Sequence, residues 1–187
     1  IAAQFVLEKL LNWREQQTEL SEESLRSGLE QINTDLILFG TQHQEHSGLS
    51  TTLVGLIIRD NQFFILHAGD SPMWLLRNNL FYQLTENQVM NPYEKDSPLT
   101  SYFGGREPSL DLQFGSDLRE IQPQDLFVLC SDGLFKALKP KQVKAVLANN
   151  QPLQAKVRFL LKKVLEAGAE DNVSCIVVEV CADEDRG

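Results

Sequence analysis

The sequence predicts an α+β fold in which two packed antiparallel sheets are flanked by helices on their outer faces. Helical periodicity dominates the first 40 residues, strand-like runs fill residues 51–84, and two further helices precede a last strand. This order differs from the regular strand and helix alternation of a doubly wound parallel sheet. Residues 53–58 are apolar on both faces, which indicates a sheet that is covered on both sides.

Two amphipathic helices are predicted at the start of the chain. Ser21 has the side chain of an N-cap for the second helix, and Leu20 and Leu25 are placed as a hydrophobic staple. From residue 40 to residue 50 the helical pattern gives way to His, Gln, Ser and Gly, which predicts an exposed loop. The apolar stripes of the two helices are Ala2, Val6, Leu10 and Trp13, then Leu25, Leu29, Ile32, Leu36 and Phe39.

A meander of antiparallel hairpins is predicted for residues 51–84, with turns at Asp60 and Asn61 and at Asn78 and Asn79. Residues 85–109 contain three prolines and predict a long surface loop. The remaining predicted elements are strands at 110–114, 126–130 and 173–180, helices opened by Pro140 and Pro152 in the first turn, and a helix C-cap at Gly168.

Composition narrows the classes of function. The chain has 17 Lys and Arg against 26 Asp and Glu, a net charge of −9, which makes nucleic acid an unfavourable partner. No apolar run approaches the roughly 20 residues of a membrane span. We therefore expect a cytoplasmic monomer whose three cysteines, Cys130, Cys175 and Cys181, are core thiols. The chain opens within a helical pattern at Ile1, so we expect that a segment preceded it.

Three aspartates follow or precede apolar runs. Asp70 and Asp132 come at the ends of the runs 63–69 and 126–131, and Asp171 precedes the run 173–180. Each one alone is equally explained as a turn residue. Carboxylates gathered at one rim of a sheet would instead form a hard oxygen site that suits Mg²⁺ or Mn²⁺. The sequence therefore predicts metal-dependent chemistry.

The motifs together resemble the protein phosphatase 2C family of metal-dependent Ser/Thr phosphatases. The resemblance extends over almost the whole chain, and the blocks around Asp132 and Asp171 are its most specific parts. The matching segments are, in order, residues 48–54, 67–71, 83–85, 125–134 and 168–174.

The resemblance implies a single domain over residues 1–187, with an acidic tail at 182–187. It implies a four-layer sandwich of helices, two antiparallel sheets and helices, with two or three Mn²⁺ or Mg²⁺ ions at one end of the sheets. Asp132 and Asp171 match the family's metal ligands, and Asp70 matches the aspartate that helps to hold a third, weaker ion. The expected reaction is hydrolysis of phosphoserine and phosphothreonine in proteins by a metal-activated water.

The sequence departs from the family pattern at several points. The family carries an aspartate-glycine pair that bridges both metals, and often a phosphate-binding arginine, on strands before the first helix of this chain. An N-terminally truncated fold with impaired turnover is therefore expected of these 187 residues. Pro72 and Gln88 stand where the family usually has arginine and histidine. The alternative is a phosphatase-like binding or regulatory module with an incomplete metal centre.

Other polar residues are interpreted as structural. We expect His67 to be a core histidine in a strand, and His43 and His46 to be solvated loop residues. Asp125 is interpreted as a turn residue before a strand. No catalytic role is assigned to Asp117 or Glu120, and Trp13 and Trp74 are expected to pack in the core. Lys139, Lys141 and Lys144 are expected to form a solvated helix face.

Overall fold

The structure is a computed structural model that divides the chain into two units. It describes residues 1–17, 21–59, 61–107, 109–115 and 119–181. The first unit contains residues 1–53, 66–69 and 88–115. The second unit contains residues 54–65, 70–87 and 116–187.

Helices and antiparallel strands are both present, as the sequence predicts. The helices are α1 (Ala2–Glu15), α2 (Glu22–Gln42), α3 (Gly133–Ala137), α4 (Pro140–Leu147) and α5 (Leu153–Glu166). The strands are β1 (Ser50–Thr51), β2 (Leu53–Arg59), β3 (Gln62–Ala68), β4 (Met73–Arg77), β5 (Leu80–Gln83), β6 (Phe103–Gly104), β7 (Gln113–Phe114), β8 (Arg119–Glu120), β9 (Leu126–Cys130) and β10 (Cys175–Glu179).

The first unit is built around α1 and α2. The Ser21 side chain accepts a hydrogen bond from the Ser24 backbone, and the Ser24 side chain accepts one from Ser21, so the predicted cap of α2 is confirmed. Leu20, the other half of the predicted staple, lies outside the described residues. A Cβ on Gly28 would lie 2.4 Å from the indole of Trp13, which confirms that Trp13 packs against α2. The buried core of this unit is Ala2, Val6, Leu29, Ile32, Leu36, Leu66, Ala68, Phe103 and Leu112.

The strands of the first unit are short. The end of β3 pairs with β7, and β1 pairs with β6. His67 on β3 is 1% exposed, which confirms a core histidine. α2 continues to Gln42, two residues past the Gly40 at which the loop was predicted, and a short 3-10 turn follows. Between residues 88 and 107 the described backbone forms only β6 and one isolated bridge, so the long loop is confirmed.

The second unit contains a four-stranded antiparallel sheet in the order β10, β9, β4, β5. β3 does not belong to this sheet; it lies beside β2 in another sheet and also pairs with β8. The predicted meander is therefore wrong between β3 and β4, because these consecutive strands belong to different sheets. Alternating polarity shows which face of a strand is buried but does not identify its partner strand. The tight turn at Asn78 and Asn79 is confirmed, with φ of 50° and 59°.

The helices α4 and α5 cover the four-stranded sheet of the second unit. α4 begins at Pro140 as predicted, whereas Pro152 is the N-cap of α5 and not a first-turn residue. Gly168 follows α5 with φ of 104°, a conformation typical of a helix C-cap glycine. Trp74 stacks on Phe81 and Phe135, which confirms its packing role. The core beneath these helices contains Leu76, Leu126, Val128, Cys130, Leu134, Leu138, Val143, Val146, Leu147, Leu160 and Val164.

The three cysteines do not share one environment. Cys130 is buried and Cys175 is half-buried, and burial raises the pKa of Cys175 to about 11. Cys181 is exposed, so its prediction as a core thiol is wrong. It lies two residues beyond the end of β10, where the strand no longer holds side chains against the helices.

Within the described ranges, no helix is both long and apolar enough to span a membrane. The four-layer order, the single-domain boundary and the N-terminal truncation implied by the family resemblance stay predictions. The acidic tail at 182–187 and Asp117 lie outside the described residues.

Candidate functional site

Three strand ends meet at one edge of the four-stranded sheet. Cys130 pairs with Cys175, so the end of β9 lies beside the start of the antiparallel β10. Met73 pairs with Leu129, which brings the start of β4 to the same edge. Asp132 follows β9, Asp171 precedes β10 and Asp70 precedes β4. The fold therefore carries the three predicted aspartates to one edge of the second unit.

The segments that bear Asp132 and Asp171 are joined through Ser131. Its backbone N–H donates to the Ser174 carbonyl at 3.0 Å, and its hydroxyl accepts from the Ser174 N–H at 3.1 Å. The same hydroxyl donates to the Asn172 carbonyl at 3.1 Å. One serine thus continues the β9 and β10 pairing beyond the strands and fixes the spacing of the two aspartates.

Gly133 allows the two segments to approach closely. A Cβ at this position would lie 2.4 Å from the backbone oxygen of Asn172, a distance that no side chain tolerates. The chain turns directly from Asp132 into α3, and the Asp132 side chain makes no capping hydrogen bond to the helix. Its carboxylate is therefore directed to other partners.

Those partners converge on Lys136. The ammonium Nζ lies 2.7 Å from Asp132 Oδ2 and 2.9 Å from Asp171 Oδ2. Lys136 follows Asp132 by four positions, so both side chains lie on the same face of α3. The two predicted carboxylates therefore share one cationic group.

The electrostatics extend to Asp70. Burial raises the pKa of Asp70, the negative charges of Asp132 and Asp171 raise it further, and the positive charge of Lys136 partly offsets this. The pKa of Asp171 is lowered, first by its hydrogen bond with Lys136 and then by the hydrogen bond that its carboxylate accepts from the Asn172 N–H at 2.7 Å. The edge of the sheet is thus a negative site with incomplete neutralisation.

This donor set fits a hard divalent cation in chemistry and in charge. Carboxylate oxygens are the ligands that Mg²⁺ and Mn²⁺ prefer, and Asp132 with Asp171 already bind one cation jointly. Among the residues that the structure describes, no three His, Cys, Asp or Glu side chains are grouped closely enough to hold an ion by themselves. Asp70 therefore contributes charge near the pair without completing a three-carboxylate cage.

One residue of the site, Lys136, was not found from the sequence. Lys136 was missed because α3, which has only five residues, was not predicted; the four-residue spacing from Asp132 would otherwise have indicated an ion pair. Gln88, noted as a departure, is buried in the first unit, where its Oε1 accepts from the Gly69 N–H at 2.6 Å and its Nε2 donates to the Asp111 carbonyl at 2.9 Å. That departure therefore has a structural role in the loop.

Asp125 is more than the turn residue that the sequence suggested. It is 1% exposed and accepts two hydrogen bonds from Arg77, with Nε to Oδ1 at 2.7 Å. Its Oδ2 also accepts from the Gln122 N–H at 2.8 Å, which holds the turn before β9. This buried ion pair lies at the edge of the sheet opposite to the three aspartates, because it joins the end of β4 to the start of β9.

Relatives of this chain are bacterial phosphatases. The chain is 27% identical to the serine/threonine phosphatase stp of Listeria monocytogenes, covering 89% of this chain and 73% of that protein. It is 29% identical to the protein phosphatase PhpP of Streptococcus pneumoniae, covering 74% of this chain and 61% of that protein.

Solved structures show the same fold. One is PppA, described as a key regulatory component of T6SS in Pseudomonas aeruginosa, which is 28% identical with a TM-score of 0.79 over 95% of this chain and 80% of that chain. Another, the catalytic domain of PstP in complex with two manganese ions, is 22% identical with a TM-score of 0.81 over 96% of this chain and 80% of that chain. The family model of protein phosphatase 2C matches residues 1–177. The chain therefore belongs to the protein phosphatase 2C family, a family of protein serine/threonine phosphatases.

Proposed function

We propose that the chain hydrolyses phosphoserine and phosphothreonine in proteins, at a Mn²⁺ or Mg²⁺ centre held in part by Asp132 and Asp171. The observation that carries the proposal is the convergence of these two carboxylates on one cation, at 2.7 and 2.9 Å, in a member of this family. Asp70 is proposed to help to hold a further, weaker ion, in agreement with its position beside the pair.

The residues at this edge of the sheet have different roles in the proposed reaction. Asp132 and Asp171 supply anionic oxygens, and Ser131 keeps the segments that carry them in register. The metal centre, when bound, supplies a water of lowered pKa and positive charge for the phosphoryl oxygens. Such positive charge is needed because the chain itself has a net charge of −9 and would otherwise repel a dianionic substrate.

The proposal is tested by release of phosphate from a phosphoserine peptide by the full-length protein, with and without Mn²⁺. Asp132→Asn and Asp171→Asn are each expected to lower the Mn²⁺-dependent rate by about 100-fold or more, because each removes an anionic ligand. Glu179→Gln is the matched control, since Glu179 is exposed and lies at the end of β10 that pairs with Leu126, opposite to the end that follows Asp171. It should leave the rate unchanged.

The same assay separates the enzyme from the alternative, a phosphatase-like binding or regulatory module. If the protein binds a phosphopeptide but releases no phosphate at any Mn²⁺ concentration, the catalytic proposal is wrong. A rate that is equal in the unmodified protein and in Asp132→Asn has the same meaning. The relatives, which are named as phosphatases, favour the catalytic outcome. A phosphoprotein substrate, a monomeric state and a cytoplasmic location are part of the proposal.

A further inference from the structure

Lys136 occupies the place at which a cation shared by Asp132 and Asp171 must lie. Its Nζ is within 3 Å of one oxygen of each carboxylate, at 2.7 and 2.9 Å. The side chains are 31% exposed for Lys136, 34% for Asp132 and 37% for Asp171. Solvent therefore reaches all three, and the ammonium can leave without unfolding the core.

A divalent ion bound to the same two oxygens would bring its charge next to the ammonium of Lys136. Mg²⁺ coordinates oxygen at about 2.1 Å, closer than the ammonium nitrogen lies. An ion that binds both Oδ2 atoms therefore fills the space between them and repels the positive charge of Lys136. Binding of an ion between these two oxygens would therefore displace the lysine side chain.

Without a divalent ion, Lys136 lowers the repulsion at this edge of the sheet. Its ammonium lies 2.7 Å from Asp132 Oδ2 and 2.9 Å from Asp171 Oδ2, so its positive charge stands between the two carboxylates. Removal of the lysine charge would leave Asp132 and Asp171 without the cation that they share. The metal-free fold then becomes less stable, and the affinity of the two carboxylates for a divalent ion becomes greater.

We propose that Lys136 is a tethered cation that substitutes for a divalent ion between Asp132 and Asp171, and that it competes with Mn²⁺ or Mg²⁺ for this pair. The inference rests on the metal centre of the proposed function and deepens it. It makes Lys136 a positioning residue that sets the metal affinity of the site and keeps the metal-free protein folded.

The test is Lys136→Met, which keeps an unbranched side chain of similar length and removes the charge. Isothermal titration calorimetry of the 187-residue chain with MnCl₂ should show binding about ten-fold tighter than in the unmodified chain. The Tm in excess chelator should fall, and the rise in Tm on addition of Mn²⁺ should be larger. A purely structural lysine would lower the Tm but would not tighten binding.

Lys162→Met is the matched control, because Lys162 also pairs with an acid four positions away, Glu166, at 3.7 Å on α5. It should leave Mn²⁺ affinity unchanged. Lys136→Arg keeps the charge and should bind Mn²⁺ no more tightly than the unmodified chain. If Lys136→Met is destabilised so that it cannot be titrated, Lys136→Gln serves with the same expectation.

The proposal is overturned if Lys136→Met binds Mn²⁺ no more tightly than the unmodified chain, or if neither binds it. Failure of this inference is distinct from failure of the proposed function. If Lys136→Met binds Mn²⁺ with unchanged affinity while the protein still releases phosphate in a Mn²⁺-dependent way, the proposed function stands and the competition by Lys136 is wrong. If Lys136→Met binds Mn²⁺ more tightly but the protein releases no phosphate, the competition by Lys136 stands and the proposed catalytic function is wrong.

Discussion

The two edges of the four-stranded sheet carry ion pairs of opposite design. At one edge, Asp125 is 1% exposed, receives two hydrogen bonds from Arg77, and has a third from the Gln122 backbone. At the other edge, Lys136 is shared between Asp132 and Asp171, whose side chains are about one-third exposed. The carboxylate of the first pair is buried and accepts three hydrogen bonds within the fold, whereas the carboxylates of the second are partly exposed and can reach a ligand.

The difference teaches how one sheet separates stability from chemistry. The Asp125 carboxylate is buried under its partners, so a new ligand cannot reach it without displacing one of them. Carboxylates that are about one-third exposed and share one lysine can exchange it for another cation at a smaller cost. The comparison predicts that substitutions at the Asp125 edge change the free energy of unfolding alone, and that those at the Asp132 edge also change metal binding.

The largest effect is expected for Asp125→Ala. It leaves the guanidinium of Arg77 without its partner in a mostly buried position, so the free energy of unfolding should fall by about 3–5 kcal/mol. Urea unfolding measures the change. Asp35→Ala, which breaks the exposed pair with Lys9, is the control and should cost less than about 1 kcal/mol. A loss as small as that of Asp35→Ala would contradict the assigned role of Asp125.

A smaller effect is expected for Gly133→Ala. The new Cβ would meet the Asn172 backbone oxygen at 2.4 Å, so the Asp171 segment must shift, at a cost of about 1–3 kcal/mol. Mn²⁺ affinity should fall together with stability, because the two carboxylates move apart. The measurements are urea unfolding and calorimetric titration with Mn²⁺.

Gly168→Ala separates crowding from backbone strain. Its Cβ would meet nothing within 4 Å, but Gly168 has φ of 104°. This variant should lose stability through an unfavourable backbone conformation and should keep its Mn²⁺ affinity. If Gly133→Ala also kept its affinity, the close approach at Asn172 would not position the site.

The smallest effect is expected for Asp70→Asn in excess chelator. The pKa of Asp70 is raised in the folded state, so ionisation of its carboxyl opposes folding. The stability that the protonated carboxyl contributes is therefore lost as the pH rises from about 3.8 through the folded pKa. Removal of the charge should therefore stabilise the metal-free protein at neutral pH, by no more than about 1 kcal/mol. Chemical denaturation at pH 4 and pH 7 measures it: the gain should be present at pH 7 and smaller at pH 4. Destabilisation at pH 7 would show that the Asp70 charge is not repelled.

Much of the fold could be predicted from hydrophobic periodicity and from the residues that mark the ends of helices and strands. The stripe of α2 and its Ser21 cap were predicted because helical spacing and capping are local properties of the chain. The transfer of the chain between sheets after Ala68 was not predicted, because partner choice depends on contacts far apart in sequence. The run before Asp132 predicted β9 but not the five-residue helix α3 that follows it.

Only part of the candidate site could be predicted from the sequence, again because some of its contacts join residues that are far apart in the chain. Asp132 and Asp171 could be proposed as candidates from their positions at strand ends and from the family motifs, and the structure brings the two together. Lys136 lies 35 positions from Asp171, so no local pattern joins them, and only the pairing of β9 with β10 brings them together. Asp125 was interpreted as a turn residue because its partner Arg77 is 48 positions away.

The bonds of Ser131 have a consequence for how the site opens. Because one hydroxyl holds the turn after β9 to the turn before β10, neither aspartate-bearing segment can fray by itself. The amide protons of Ser131 and Ser174 should then exchange with deuterium at a common rate, as one cooperative opening unit. In such an arrangement both carboxylates are presented together or are lost together, so binding of the proposed metal ions would be an all-or-none event.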